Sequence, residues 1–193
     1  MTEPTTGAQS RIDHLQQEIL RLKTELVEAR RDLPREPVRD YRFQTESGST
    51  SLGELFGGRE DLLVVHNMGK SCVYCTLWAD GLNGFIEPIE DRTAFAVVSP
   101  DSPEVQREFA ASRGWRFRMV SSQGDTFTED MGFLMKEGYW PGVSAFRRDP
   151  DGQIFRVSRS FFGPGDDFCS VWPLFDLLEG CAGEWEPKYQ YSR

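Results

Sequence analysis

The sequence contains few of the residues from which cross-links and metal sites are built, with 4 cysteines and 2 histidines among 193 residues. It also lacks long apolar runs, since none approaches the ~20 residues that a membrane helix needs. Its first residues, MTEPTTGAQSRIDHL, do not show the charged and then apolar stretches of a secretory leader. We therefore predict a cytoplasmic protein that has no membrane partner.

Positive charge is also scarce, because 22 Lys and Arg residues are outnumbered by 31 Asp and Glu residues, for a formal net charge of -9. Phosphate contacts need clustered basic side chains, so we expect no nucleic-acid partner. Hydrophobic residues still make up 38% and aromatic residues 12% of the chain, which is enough for a packed core. The length predicts one domain with an appendage.

The four cysteines, Cys72, Cys75, Cys169 and Cys181, are too few for a disulfide scaffold in a chain of this length. In a reducing compartment such cysteines indicate catalysis, metal binding or simple burial. Structural disulfides are therefore the weakest interpretation.

The N-terminal part of the chain has the pattern of a helix. We predict a disordered tail at residues 1–9 and an amphipathic helix at residues 10–33, closed by Pro34. The apolar residues follow 3-4 spacing as a and d positions of heptads, and they are Ile12, Leu15, Ile19, Leu22 and Leu26. Two interpretations stay open, a helix that lies on its own domain and a helix that pairs with a second copy to form a homodimer.

From Tyr41 onward, short apolar runs alternate with helical stretches, which is typical of an α/β sheet with crossovers. The predicted strands are residues 41–45, 61–68, 94–100, 116–122, 143–149 and 154–161. The predicted helices are residues 51–58, a helix with Cys72 in its first turn, residues 102–114, a short piece near Asp130, and residues 171–180. We assign the domain to residues 41–180 and an extended tail to residues 181–193.

This order of elements resembles the thioredoxin fold with the extra N-terminal strand of peroxiredoxin-like members. The resemblance depends on CVYC at residues 72–75 after a buried strand, on Pro141 before a hairpin, and on the helix that follows. More narrowly, SLGELFGGREDLLVVHNM, CVYCTLWADGLNG, AFAVVSP and PGVSAFRRD are similar to the thioredoxin-like family catalogued as domain of unknown function eight-nine-nine. That likeness implies a fold and a compartment better than it implies a reaction.

A cysteine at the start of a helix has chemistry of its own. The helix dipole and unpaired N–H groups would stabilise the thiolate of Cys72 and lower its pKa. Cys75 lies one helical turn further on, close enough for a disulfide. The family resemblance implies that Cys72 attacks a protein or small-molecule disulfide and that Cys75 resolves the mixed disulfide. We therefore predict a thiol-disulfide oxidoreductase, and we expect it to need no cofactor.

The resemblance also implies a cis peptide bond before Pro141, facing the cysteines, and a substrate groove in which Trp140, Tyr74 and Ser71 take part. Gly142 departs from the usual pattern, in which the strand follows the proline directly. The stretch NMGKSC lacks the Pro and Thr of a peroxiredoxin motif, which disfavours a peroxidase of that kind.

A metal site is the alternative, because His66, Cys72 and Cys75 supply ligand types that copper and zinc accept. Cys169 and Cys181 lack the paired spacing of a four-thiolate zinc site, and burial is the simpler prediction for them. A redox-sensing module and a non-catalytic interaction domain also stay open.

Overall fold

The computed structural model describes residues 7–192. The chain divides into two compact units, one that ends at Arg35 and one that begins at Glu36. The first contains helix α1 (Gly7–Arg31), which starts before the predicted residue 10. Residues 1–6 of the predicted tail lie outside the described residues. Pairing of α1 with a second copy stays a prediction.

The second unit is built around an eight-stranded sheet in the order β1-β10-β9-β4-β5-β6-β2-β3. Its strands are β1 (Glu36–Val38), β2 (Arg42–Thr45), β3 (Gly48–Ser51), β4 (Asp61–His66), β5 (Ala94–Ser99), β6 (Met119–Ser121), β9 (Gly142–Arg148) and β10 (Ile154–Phe161). A separate hairpin joins β7 (Leu134–Met135) to β8 (Gly138–Tyr139). The helices of this unit are α2 (Leu52–Leu55), α3 (Val73–Gly84), α4 (Ile86–Arg92), α5 (Pro103–Arg113), α6 (Phe127–Asp130) and α7 (Val171–Phe175).

The centre of the sheet consists of parallel strands joined by crossover helices. β4, β5 and β6 are parallel neighbours, and parallel neighbours need crossover connections, which the helices between them supply. Helix α5 begins where the sequence predicts, because the hydroxyl of Ser102 accepts the N–H of Val105 and Pro103 occupies the first turn. β9 and β10 form the predicted hairpin, with Gly152 at a φ of 90° in its turn.

Two apolar cores lie on opposite faces of the sheet. Val64 and Val98 belong to one core, while Val65 and Trp78 belong to the other. Successive strand residues point to opposite faces, so α3 packs on the face that Val65 occupies. This alternation decides which β4 side chains can approach the cysteines of α3.

The C-terminal region differs from the predicted extended tail. Residues 181–184 form turns, and Trp185 packs edge-to-face on Trp172 at 5.6 Å and on Phe175 at 4.9 Å. Pro187 is buried. Ala182 and Trp185 therefore pack against the core that contains Trp172. None of the helices within residues 7–192 has the length and hydrophobicity needed to span a bilayer.

Candidate active site

The loop between β4 and α3 is fixed by polar contacts from several parts of the chain. Gly69, at a φ of 104°, donates its N–H to the side-chain oxygen of Asn67 at 2.8 Å. The carboxylate of Asp101 accepts the N–H of Lys70 at 2.7 Å. The Lys70 carbonyl in turn accepts the hydroxyl of Tyr189 at 3.1 Å. The residues just before the first cysteine are therefore held on both sides.

Cys72 caps the N-terminus of α3. Its backbone is extended, with φ -92° and ψ 104°, and its sulfur accepts the N–H of Cys75 at 3.1 Å. The hydroxyl of Thr76 donates to the carbonyl of Cys72 at 3.0 Å. A thiol thus occupies the position where helices usually place a hydroxyl or carboxylate oxygen. The first turn of the helix presents its N–H groups to that sulfur.

The pKa values of the two cysteines are shifted in opposite directions. The hydrogen bond from the Cys75 thiol, assisted by the backbone N–H groups of Cys75 and Tyr74, lowers the pKa of Cys72 to about 7 against the effect of partial burial. The same hydrogen bond and burial raise the pKa of Cys75 far above its usual range. Cys72 is half-buried and Cys75 is only 3% exposed. The accessible sulfur is therefore the one that ionises first.

A cavity of about 470 Å³ opens beside Cys72. It is lined by Met68, Cys72, Tyr74, Trp78, Glu137, Tyr139, Trp140, Pro141, Phe162, Gly163 and Pro164. Three residues predicted for the groove or its edge, Tyr74, Trp140 and Pro141, are thus brought together with the reactive thiol. Ser71 is exposed and is not part of this lining.

The peptide bond before Pro141 is trans, so the expectation of a cis bond is wrong. The Pro141 carbonyl accepts the N–H of Phe162 at 2.9 Å, so this acceptor already has a partner within the chain. Gly142 follows because a Cβ there would collide with the Phe133 ring and the Ser160 carbonyl. Close packing therefore explains the departure from the usual family pattern.

Comparison with known proteins places the chain in a family. Residues 5–191 match the family described as "Bacterial protein of unknown function (DUF899)". The chain belongs to DUF899. The family resemblance predicted from the sequence is thereby confirmed, and no curated protein sequence matches this DUF899 chain.

Solved structures similar to this DUF899 protein have the thioredoxin-like fold, so that prediction is confirmed. Reduced Prx3 of Vibrio vulnificus, in complex with hydrogen peroxide, gives a TM-score of 0.54 at 14% identity, over 69% of this chain and 90% of that one. A peroxiredoxin-like protein of Aquifex aeolicus gives 0.52 at 16% identity, over 66% and 74%. Peroxidoxin BcpB of Mycobacterium tuberculosis gives 0.50 at 17% identity, over 62% and 80%. At these identities the likeness shows the fold alone.

His66 lies apart from the cysteines of the DUF899 site. Its Nε2 is 2.9 Å from the hydroxyl of Ser144, and its ring stacks on that of Phe133 with centroids 3.8 Å apart. The neighbouring Val65 faces α3, so alternation along β4 turns His66 to the other face. The copper or zinc alternative requires His66 to lie beside Cys72. The structure does not bring the two residues together.

The other candidate ligands are also separate. Within residues 7–192 there is no group of three or more His, Cys, Asp or Glu side chains placed to hold a metal. Cys169 is buried in the core and Cys181 is exposed. Asp80, on α3, pairs with Arg113 and accepts the indole N–H of Trp115.

Sequence reasoning missed two parts of the DUF899 site. The β7–β8 hairpin brings Glu137 and Tyr139 to the cavity, and its only local signal was Gly138, at a φ of 119°. Tyr189 reaches the cysteine loop from the C-terminal segment. An exposed tyrosine in a polar tail gives no sequence signal for that contact.

Proposed function

We propose that this DUF899 protein is a thiol-disulfide oxidoreductase in which Cys72 is the nucleophile and Cys75 is the resolving thiol. The observation that carries the proposal is the pair itself: an accessible sulfur, hydrogen-bonded at a helix N-terminus with its pKa lowered to about 7, directly in front of a buried thiol with a raised pKa. Thiolate at neutral pH is the reactive form in exchange. Free thiols at both positions suit a reducing compartment, and we propose the cytoplasm.

The reaction follows from the two acidities. The Cys72 thiolate attacks one sulfur of a disulfide RS–SR, a Cys72–SR bond forms, and RS⁻ leaves. Loss of the hydrogen-bonding thiolate lowers the barrier to ionising Cys75, whose proton passes to the leaving thiolate or to water. The Cys75 sulfur then attacks that of Cys72 and expels the second RS⁻. Two electrons pass from the dithiol to the substrate, and an external dithiol reductant restores the protein.

The buried position of Cys75 supports the order of these steps. A sulfur that is 3% exposed cannot meet a large substrate first, whereas Cys72 borders an open cavity. The three-residue spacing keeps the second sulfur within one helical turn of the mixed disulfide. Resolution is therefore intramolecular, and it does not depend on a second thiol from solution.

The test is a thiol–disulfide redox titration of metal-stripped protein, quenched by alkylation and read by intact mass and peptide mapping. We expect a reversible two-electron change at Cys72 and Cys75. Cys72→Ser should abolish it, Cys75→Ser should trap a mixed disulfide on Cys72, and the matched control Cys181→Ser should behave as the wild type. Absence of the two-electron change, or loss of fold with metal removal, would overturn the proposal and favour a metal site.

A further inference from the structure

The walls of the cavity beside Cys72 are largely aromatic. Trp78 and Phe162 pack against each other with centroids 5.6 Å apart and form its buried part. Tyr139 and Trp140, 36% and 44% exposed, form its open side. At about 470 Å³ it falls within the usual size range of small-ligand sites, which are largely apolar.

The open side is fixed in place rather than loose. The backbone N–H of Trp140 donates to the carbonyl of Phe133 at 2.8 Å, and the Trp140 ring lies edge-on to the Phe161 ring, with centroids 6.4 Å apart. Pairing of Leu134 with Tyr139 in the β7–β8 hairpin positions the backbone of Tyr139. Preorganised aromatic surfaces bind apolar groups at low entropic cost.

The charge at the cavity is negative. Among its described lining residues, Glu137 is the one carboxylate, the Cys72 thiolate adds further negative charge, and there is no Lys or Arg. A carboxylate-bearing disulfide would therefore meet a like charge and find no cationic partner there. The net charge of -9 for the whole chain would also slow the approach of anions.

We propose that this cavity takes an uncharged disulfide with an aromatic or apolar flank, which lies against Trp140 and Phe162 with its S–S bond at Cys72, and that it disfavours anionic disulfides. This inference rests on the proposed function, because the bound disulfide is the oxidant that Cys72 attacks. The Cys72–SR bond forms, RS⁻ leaves, and Cys75 completes the two-electron transfer as described above.

Two aryl disulfides of opposite charge character test the inference. Reduced full-length protein is mixed with 4,4′-dithiodipyridine, which is uncharged, or with 5,5′-dithiobis(2-nitrobenzoate), which carries two carboxylates. Each rate is divided by that of a small neutral thiol with the same reagent, so that intrinsic reactivity cancels. We expect this normalised rate to be about tenfold higher for the uncharged reagent, a difference of about 1.4 kcal/mol in barrier.

Variants assign the preference to the cavity. Glu137→Gln should raise the rate with the dianion more than the rate with the uncharged reagent and so narrow the difference between them, whereas Glu179→Gln, an exposed carboxylate outside the lining, should change neither rate. Trp140→Ala should slow the uncharged reagent about three- to tenfold, and Trp140→Phe should restore most of that rate.

The outcomes separate the two claims. Equal normalised rates for both reagents, with a Cys72–Cys75 disulfide still formed, would overturn the inference and leave the proposed function standing. If neither reagent yields that disulfide, the proposed function fails, and the inference fails with it. A preference that persists unchanged in Trp140→Ala and Glu137→Gln would overturn the assignment to this cavity.

Discussion

Acidification should destabilise the fold through one buried histidine. His66 is only 2% exposed, its Nε2 pairs with Ser144, and its Nδ1 has no hydrogen-bond partner among the described residues. Burial, with a smaller contribution from the charge of Arg156, lowers the pKa of His66 from 6.5 to about 3. The native side chain therefore stays neutral at pH values where an exposed histidine is charged.

Proton linkage gives the sign and the size of this change in the free energy of unfolding. Below about pH 6.5 the unfolded chain takes up a proton at His66, while the folded chain does not until about pH 3. The unfolded state thus binds more protons, and the free energy of unfolding falls by about 1.4 kcal/mol per pH unit in this window. Between about pH 6.5 and about pH 4.5 the loss should reach about 2 to 3 kcal/mol.

Denaturant titrations at about pH 7, 5.5 and 4.5 measure this loss. The double variant His66→Leu/Ser144→Ala removes the titrating ring and its partner together, so its stability should vary much less over the same range. His14→Ala, a change in α1, should keep the wild-type dependence. An equally steep loss in the double variant, or a wild type whose stability is level down to about pH 4.5, would refute the reasoning.

Three further changes probe the backbone and the site. Gly142→Ala should lower the free energy of unfolding by about 1–3 kcal/mol, because the new Cβ would collide with Phe133; denaturant titration measures it. Tyr189→Phe removes the hydrogen bond to the Lys70 carbonyl, so it should cost about 1 kcal/mol and speed amide exchange in the cysteine loop. Alkylation of Cys72 should accelerate with pH with a midpoint of about 7, since only the thiolate reacts, as a rate profile in Cys181→Ser protein would record.

Each of these has a matched control. Gly58→Ala introduces a Cβ into open space and should leave stability nearly unchanged; equal losses in both glycine variants would contradict the packing argument. Tyr191→Phe should not affect exchange near Lys70 as Tyr189→Phe does. An alkylation midpoint near the ordinary cysteine value of 9.0 would show that the hydrogen bonds to Cys72 do not stabilise its thiolate.

Elements with strong local signals were predictable from the sequence. The run DLLVVH forms β4, and the cap at Ser102 starts α5. Cys72 stands at the N-terminus of α3 because a buried strand ends just before it and a helical pattern begins just after it. These signals span only a few residues each, so no tertiary information was needed to place the thiol pair.

The missing parts depend on contacts between distant segments. β1 pairs with β10 across more than a hundred residues, and strands as short as β7 and β8 have no periodicity to detect. The close packing at Gly142 reflects the position of the Phe133 ring, which local sequence does not encode. The sequence also did not reveal that α3 lies on the face opposite His66.

The contact between Lys70 and Tyr189 joins positions 119 residues apart. Contacts of such long range carry a large loop-closure cost and form slowly relative to local ones. We therefore expect the cysteine loop to acquire its final order late in folding, after α3 has formed. Pulsed thiol labelling during refolding should then find Cys72 reactive but unselective at first, with its discrimination between disulfides appearing only once the C-terminal segment has docked.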